Sequence, residues 1–135
     1  MFPSHDLVRD GRDVVLSRHP SNPNKYWVPV KRWIDDVTCG LQCKEAIIVK
    51  YENLVTKPED TLRKLFIDLE IDFDYKVLNP EIHGIMQSDA WFSTAKSINT
   101  QRIKKWKSKL HEEVIIQFMK NEKALNLLDR LDYEL

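Results

Sequence analysis

Apolar positions along the chain change period several times. Leu7 and Val8 read as the end of a buried strand. The polar turn Arg9-Asp10-Gly11-Arg12-Asp13 follows, then the apolar run Val14-Val15-Leu16, suited to a short helix. Pro20 and Pro23, with Ser and Asn between them, predict a loop. From about Val28 to Leu41, Val30, Trp33, Ile34, Val37 and Leu41 recur at helical spacing, with Pro29 in the first turn. Ala46-Ile47-Ile48-Val49 is a short apolar run, which predicts a strand buried on both faces, as in a parallel sheet. Thr56-Lys57-Pro58-Glu59 has the form of a capping box ahead of a helix carrying Leu62, Leu65, Phe66 and Leu69. Residues 72–97 have no clean period and predict a long loop with one short helix near Pro80 to Met86. Thr100 to Leu110 predicts a helix with Ile103, Trp106 and Leu110 on one side. Val114, Ile115, Phe118 and Met119 mark another, and Leu125, Leu128 and Leu131 the last.

The resulting order, β-α-α-β-α-loop-α-α, predicts an α/β fold with few parallel strands and much helix. Two short strands do not make a self-sufficient sheet. The chain, residues 1–135, is therefore expected to be one partial domain of a three-layer α/β/α arrangement. An exposed sheet edge is expected to promote homo-oligomers.

Composition narrows the function. The chain has 135 residues, 42% hydrophobic and 31% charged, an ordinary globular balance. No apolar run is long enough for a transmembrane helix, and no signal peptide is apparent, so a cytoplasmic location is expected. Lys+Arg and Asp+Glu are both 21, which gives no support to nucleic-acid binding. Only Gly11, Gly40 and Gly84 occur, too scattered for a glycine-rich phosphate loop. Cys39 and Cys43 are too few for a zinc site, and the histidines lack ligand spacing, so no metal is expected. The cysteines read as small apolar residues near a core.

The stretch from Arg9 to Ser17 carries the candidate chemistry. Arg9 leaves the carboxyl end of a strand, the ligand edge of open α/β sheets. Gly11 is read as permitting the turn, and the following helix as pointing its free N–H groups at the same place. Arg12 lies near that turn, and Ser17 about 9 Å further along the helix. An arginine fork, a hydroxyl and a helix start suit a phosphate monoester. The same residues also read as a solvated surface turn with internal ion pairs. Trp27, Trp33, Trp91 and Trp106 read as core or loop anchors. Lys104, Lys105, Lys107 and Lys109, near Arg102, read as a solvated basic helix face or as contacts for an acidic acceptor or nucleotide.

Leu7-Val8-Arg9-Asp10-Gly11-Arg12-Asp13-Val14-Val15-Leu16-Ser17 resembles the 3′-phosphate-binding motif of sulfotransferases that use 3′-phosphoadenosine 5′-phosphosulfate (PAPS). Val49-Lys50-Tyr51-Glu52-Asn53-Leu54-Val55, with the Pro58-Glu59 helix start, is similar to a strand of the family, its Tyr-Glu-Asp-Leu turn and the following helix, Asn53 replacing the usual Asp. Trp33 on the intervening helix and Ser93-Thr94…Lys96…Asn99…Lys105-Trp106-Lys107 extend the likeness, closest in pattern to protein-tyrosine and carbohydrate sulfotransferases. The resemblance implies the C-terminal part of the family's P-loop-like fold. It implies that Arg9 and Ser17 hold the 3′-phosphate of PAPS or adenosine 3′,5′-bisphosphate. It further implies that Tyr51 contacts the adenine and that Ser93 and Lys96 close over the nucleotide. The acceptor would be a hydroxyl on a carbohydrate or a protein tyrosine. Only residues 1–8 precede Arg9, so the phosphosulfate loop and the catalytic base have no counterpart. A nucleotide-binding or interaction module without turnover is the alternative reading.

Overall fold

The structure, a computed structural model, describes residues 5–79 and 100–135. They form two compact units, one from the residues up to Glu52 together with Gln101–Leu135, the other from the described part of Asn53–Thr100.

In the first unit, β1 (His5–Val8) runs into the single-turn helix α1 (Gly11–Val14). A hairpin follows, made of β2 (Arg18–His19) and β3 (Asn22–Tyr26). Next come α2 (Val30–Gln42) and β4 (Ile47–Lys50). Strands β1 and β4 pair in parallel, with His5 opposite Ile47 and Val8 opposite Lys50. The described part of the chain is thus mixed α/β, mostly helical, with a small parallel sheet. The expectation that the strands are covered on both faces is corrected: Leu7 is 53% exposed and Ile48 is exposed as well. Val8 is buried, because its side packs on α2. Gly40 on α2 leaves room for the Asp6 carboxylate, which would collide with any β-carbon there.

Helix α3 (Tyr51–Thr56) starts directly after β4. In the second unit α4 (Pro58–Asp68) begins with Pro58 at its first position. The cap position of α4 falls one residue later than predicted. Thr56 belongs to the end of α3, and Lys57 stands at the cap without a side-chain hydrogen bond. The Thr61 hydroxyl instead donates to the Asn53 carbonyl at 3.0 Å. Arg63 lies over the rings of Phe73 and Tyr75 and pairs with Glu59.

Further corrections concern the stretch at Pro20–Pro23, the stretch from Thr100 to Leu110 and the two cysteines. The loop expected at Pro20–Pro23 is the β2–β3 hairpin, with Arg18 opposite Tyr26. The helix expected over Thr100–Leu110 is a chain of 3-10 turns, Thr100–Arg102, Lys105–Lys107 and Lys109–His111. It is interrupted at Lys104, whose φ of 56° is left-handed. Helices α5 (Glu112–Met119) and α6 (Glu122–Arg130) follow as expected, α6 capped by the Asn121 side chain on the Ala124 amide at 3.1 Å. The core joins Val8, Val15, Trp33, Val37, Phe118, Ala124, Leu127, Leu128 and Leu131. Trp33 and Phe118 lie ring to ring, their centroids 5.6 Å apart. Fully burying one such aromatic or Leu side chain stabilises the unit by about 1.5–3 kcal/mol. Cys39 and Cys43, read as near-core residues, are exposed on or just after α2 and form no disulfide. Among the described residues no helix is long and apolar enough to cross a membrane.

Candidate functional site: a cationic cavity beside the first strand-to-helix corner

The corner between β1 and α1 is built from buried charge. Arg12 is fully buried, and Asp10 and Asp13 are nearly so. The Asp10 carboxylate receives Arg12 through two contacts, Nε at 3.0 Å and Nη2 at 2.8 Å, a bidentate ion pair. The Arg12 guanidinium also lies flat on the Trp106 ring, 3.7 Å from its centroid. Asp10 Oδ1 additionally accepts the Arg12 amide, and the Asp10 amide donates to Glu52 Oε1 at 2.9 Å. Glu52 Oε2 in turn accepts from the Tyr133 hydroxyl at 2.9 Å. Burial, and then the Glu52 charge, push the Tyr133 pKa well up.

These contacts bear on the expected site. Arg12 lies in the turn as expected, but buried, with its guanidinium on Asp10 and Trp106. At the start of α1 the amides of Arg12 and Asp13 are not free either: they bond to the Asp10 side chain and carbonyl. The helix ends at Val14, so Ser17 stands beyond it, immediately before β2, rather than along it. The reading of the turn as solvated is also wrong, although its internal ion pair is present.

Gly11 is needed for proximity. A β-carbon there would lie 2.5 Å from the Trp33 indole. Trp33 can then reach over the corner, where its Nε1 donates to the Arg9 carbonyl at 3.1 Å. An anchor in the core thereby fixes the backbone of the residue that carries the candidate chemistry.

Beside this corner lies a cavity of about 340 Å³ lined by Arg9, Asp13, Leu16, Ser17, Arg18, Arg102 and Lys105. Arg9 and Ser17, singled out in the sequence, thus face one space. Arg9 rests over the Tyr51 ring, 4.7 Å from its centroid, and donates through Nη2 to the Arg102 carbonyl. Its Nε is buried without a hydrogen-bond partner among the described residues. Tyr51 is therefore a support for Arg9 and not among the residues that line the cavity. Ser93 and Lys96 lie outside the described residues.

Of the three further lining cations, Arg18 was not singled out in the sequence, whereas Arg102 and Lys105 lie in the basic run for which nucleotide contact was one of two readings. Arg18 is aimed by the hairpin: it stacks on Tyr26 at 3.7 Å and bonds its hydroxyl at 3.1 Å. That hydroxyl also meets His111 Nδ1 at 2.7 Å. Arg102 and Lys105 come from the 3-10 turns. The basic residues there do not share a helix face: Lys105 lines the cavity, whereas Lys107 pairs with Glu134. The local signals were the Arg next to Ser17 and the charge run after Thr100.

The one carboxylate in the lining, Asp13, has both oxygens engaged. Oδ2 accepts the Lys104 amide at 2.8 Å and Oδ1 the Trp106 amide at 3.1 Å. Burial raises its pKa above the ordinary carboxylate value, opposed by those two amides and by the Arg9 charge. Among the described residues, Arg9, Arg18, Arg102 and Lys105 make no salt bridge. Four cations and a hydroxyl around one opening attract an anion with several acceptor oxygens. Among the described residues no group of three His, Cys, Asp or Glu side chains is placed to hold a metal ion.

No family model matches the chain, and no curated protein or solved structure is significantly similar to it.

Proposed function

We propose that the cavity binds the 3′-phosphate of a 3′-phosphoadenosine nucleotide, and that the chain carries this half of the site of a PAPS-dependent sulfotransferase. The observation that supports the reading is the convergence of Arg9 and Ser17 on one cavity with Arg18, Arg102 and Lys105. The motif resemblance pairs the first two, and the other three raise the charge where a dianion would sit. Arg9 and Arg18 can each offer two N–H donors to a phosphate, and Ser17 a hydroxyl. Lys105 adds a compact point charge. Tyr51 holds the Arg9 guanidinium by its ring face, so the arginine loses less freedom on binding.

When bound, PAPS supplies the sulfuryl group for transfer to a hydroxyl acceptor, a carbohydrate or protein tyrosine in this reading. The chain's own residues described above hold and neutralise the phosphate end of the nucleotide. A second reading is nucleotide binding without turnover: the lining residues supply cations and a hydroxyl that hold a phosphate, and Asp13, the one carboxylate among them, accepts a backbone amide on each oxygen.

Two assays test these readings. Calorimetric titration with adenosine 3′,5′-bisphosphate should show binding much tighter than adenosine 5′-monophosphate. Equal affinity for the two would remove the 3′-phosphate assignment. Labelled PAPS, offered with carbohydrate and tyrosine-peptide acceptors, then decides turnover: label in the acceptor selects the transferase, and binding without transfer selects the module.

A further inference from the structure

The cations around the cavity come from two stretches far apart in sequence. Arg9, Ser17 and Arg18 flank α1, whereas Arg102 and Lys105 belong to the 3-10 turns that precede α5. Asp13 joins the two stretches. It is 3% exposed, and each of its carboxylate oxygens takes one backbone amide of the second stretch, Lys104 and Trp106. Those amides bracket Lys105. They can converge on one carboxylate because Lys104 takes a left-handed conformation, φ 56° and ψ 26°, which turns successive N–H groups toward the same side. The Trp106 ring is pinned at the same place by Arg12, and the Arg102 carbonyl by Arg9.

We propose that Asp13 is a positioning residue for the anion site: by holding the amides of Lys104 and Trp106 it keeps Arg102 and Lys105 at the cavity. The proposal rests on the phosphate-binding reading above. Asp13 acts through the cations rather than on the ligand, because both its oxygens are committed. A carboxylate beside an anion site would otherwise oppose binding. Here its charge is offset by two amides and by Arg9, and in exchange two cations are delivered from another part of the chain.

The test measures adenosine 3′,5′-bisphosphate affinity in the full chain for Asp13→Asn, for Arg102→Ala/Lys105→Ala, and for all three substitutions together. Asp13→Asn keeps one acceptor and turns the other into a donor facing an N–H, so one amide is released. Its affinity is expected to fall roughly tenfold, the scale of one lost charge-assisted contact. The triple variant should bind no more weakly than Arg102→Ala/Lys105→Ala, because the carboxylate works only through those two side chains. Hydrogen exchange supplies an independent readout: the Lys104 and Trp106 amides should both be protected in the wild type, and one of the two should open in Asp13→Asn. Lys104→Pro guards against a folding defect at the buried position. It removes one of the two amides and forbids the left-handed φ at an exposed site, and the same loss of affinity is expected. Unchanged affinity in Asp13→Asn, a fully additive loss in the triple variant, or two amides that both stay protected would each overturn the positioning role. A wild type that binds no bisphosphate would overturn the site reading and the proposal with it, a result distinguishable because it appears before any substitution is made.

Discussion

The interior of the β1–α1 corner and the wall of the cavity beside it use the same residue types in opposite ways. Inside the corner, Arg12 is fully buried, held by Asp10 through two nitrogens and covered by Trp106. On the wall, Arg9, Arg18, Arg102 and Lys105 face open space and form no salt bridge among the described residues. The first set is neutralised by the protein itself and shapes the fold. The second lines a cavity without pairing to a carboxylate among the described residues, and in the proposed reading it meets the nucleotide's phosphate. Two arginines three positions apart in sequence therefore have different work, decided by which carboxylate lies within reach.

The comparison can be broken most forcefully at Arg12. Arg12→Ala leaves the Asp10 carboxylate buried without its partner, and should destabilise the first unit by about 3–5 kcal/mol. Arg9→Ala should leave stability within about 1 kcal/mol of wild type, as for other substitutions at half-exposed positions. Urea unfolding of both variants decides the matter, and equal losses would dissolve the distinction. A smaller effect is expected at Gly11. Its replacement by Ala forces a methyl to within 2.5 Å of the Trp33 indole. That overpacking should cost about 1–3 kcal/mol and displace the hydrogen bond from Trp33 to the Arg9 carbonyl.

The least pronounced effect concerns pH. The Asp13 pKa is raised in the folded state, chiefly by burial. A raised carboxyl pKa favours folding where the group is protonated, below its unfolded value near 3.8, and that contribution is lost as pH rises through the folded pKa. Asp13→Asn, which stays neutral, should therefore gain stability relative to wild type as pH rises from 3 toward neutrality. Thermal melts across that range check the sign. A relative loss with rising pH would show that the ionised carboxylate is stabilising where it sits.

Much of the fold is legible in the sequence where one local pattern dominates. The helical spacing from Val30 to Leu41 gives α2, and the apolar run ending at Val49 gives a strand that pairs in parallel. Other elements depend on contacts across the chain. Ile103, Trp106 and Leu110 mimic a helical face, yet the distant Asp13 draws two amides out of that pattern, and Leu110 ends 80% exposed. Pro20 and Pro23 hide the hairpin, because proline weakens any strand pattern, although the short edge strand β3 accommodates Pro23. The site divides the same way. Arg9 and Ser17 stand in one recognisable stretch. Arg18 depends on stacking over Tyr26, and Arg102 and Lys105 on hydrogen bonds spanning about ninety positions of sequence.

The central claim, that the cavity wall holds a nucleotide's 3′-phosphate, is tested most directly by calorimetry of adenosine 3′,5′-bisphosphate against wild type, Arg9→Ala and Ser17→Ala. Wild type should bind, and Arg9→Ala should lose about 1.5–3 kcal/mol of binding free energy, the range for a hydrogen bond to a charged group. Ser17→Ala should lose less, since it gives up one uncharged donor. Identical dissociation constants for the three proteins would contradict the claim.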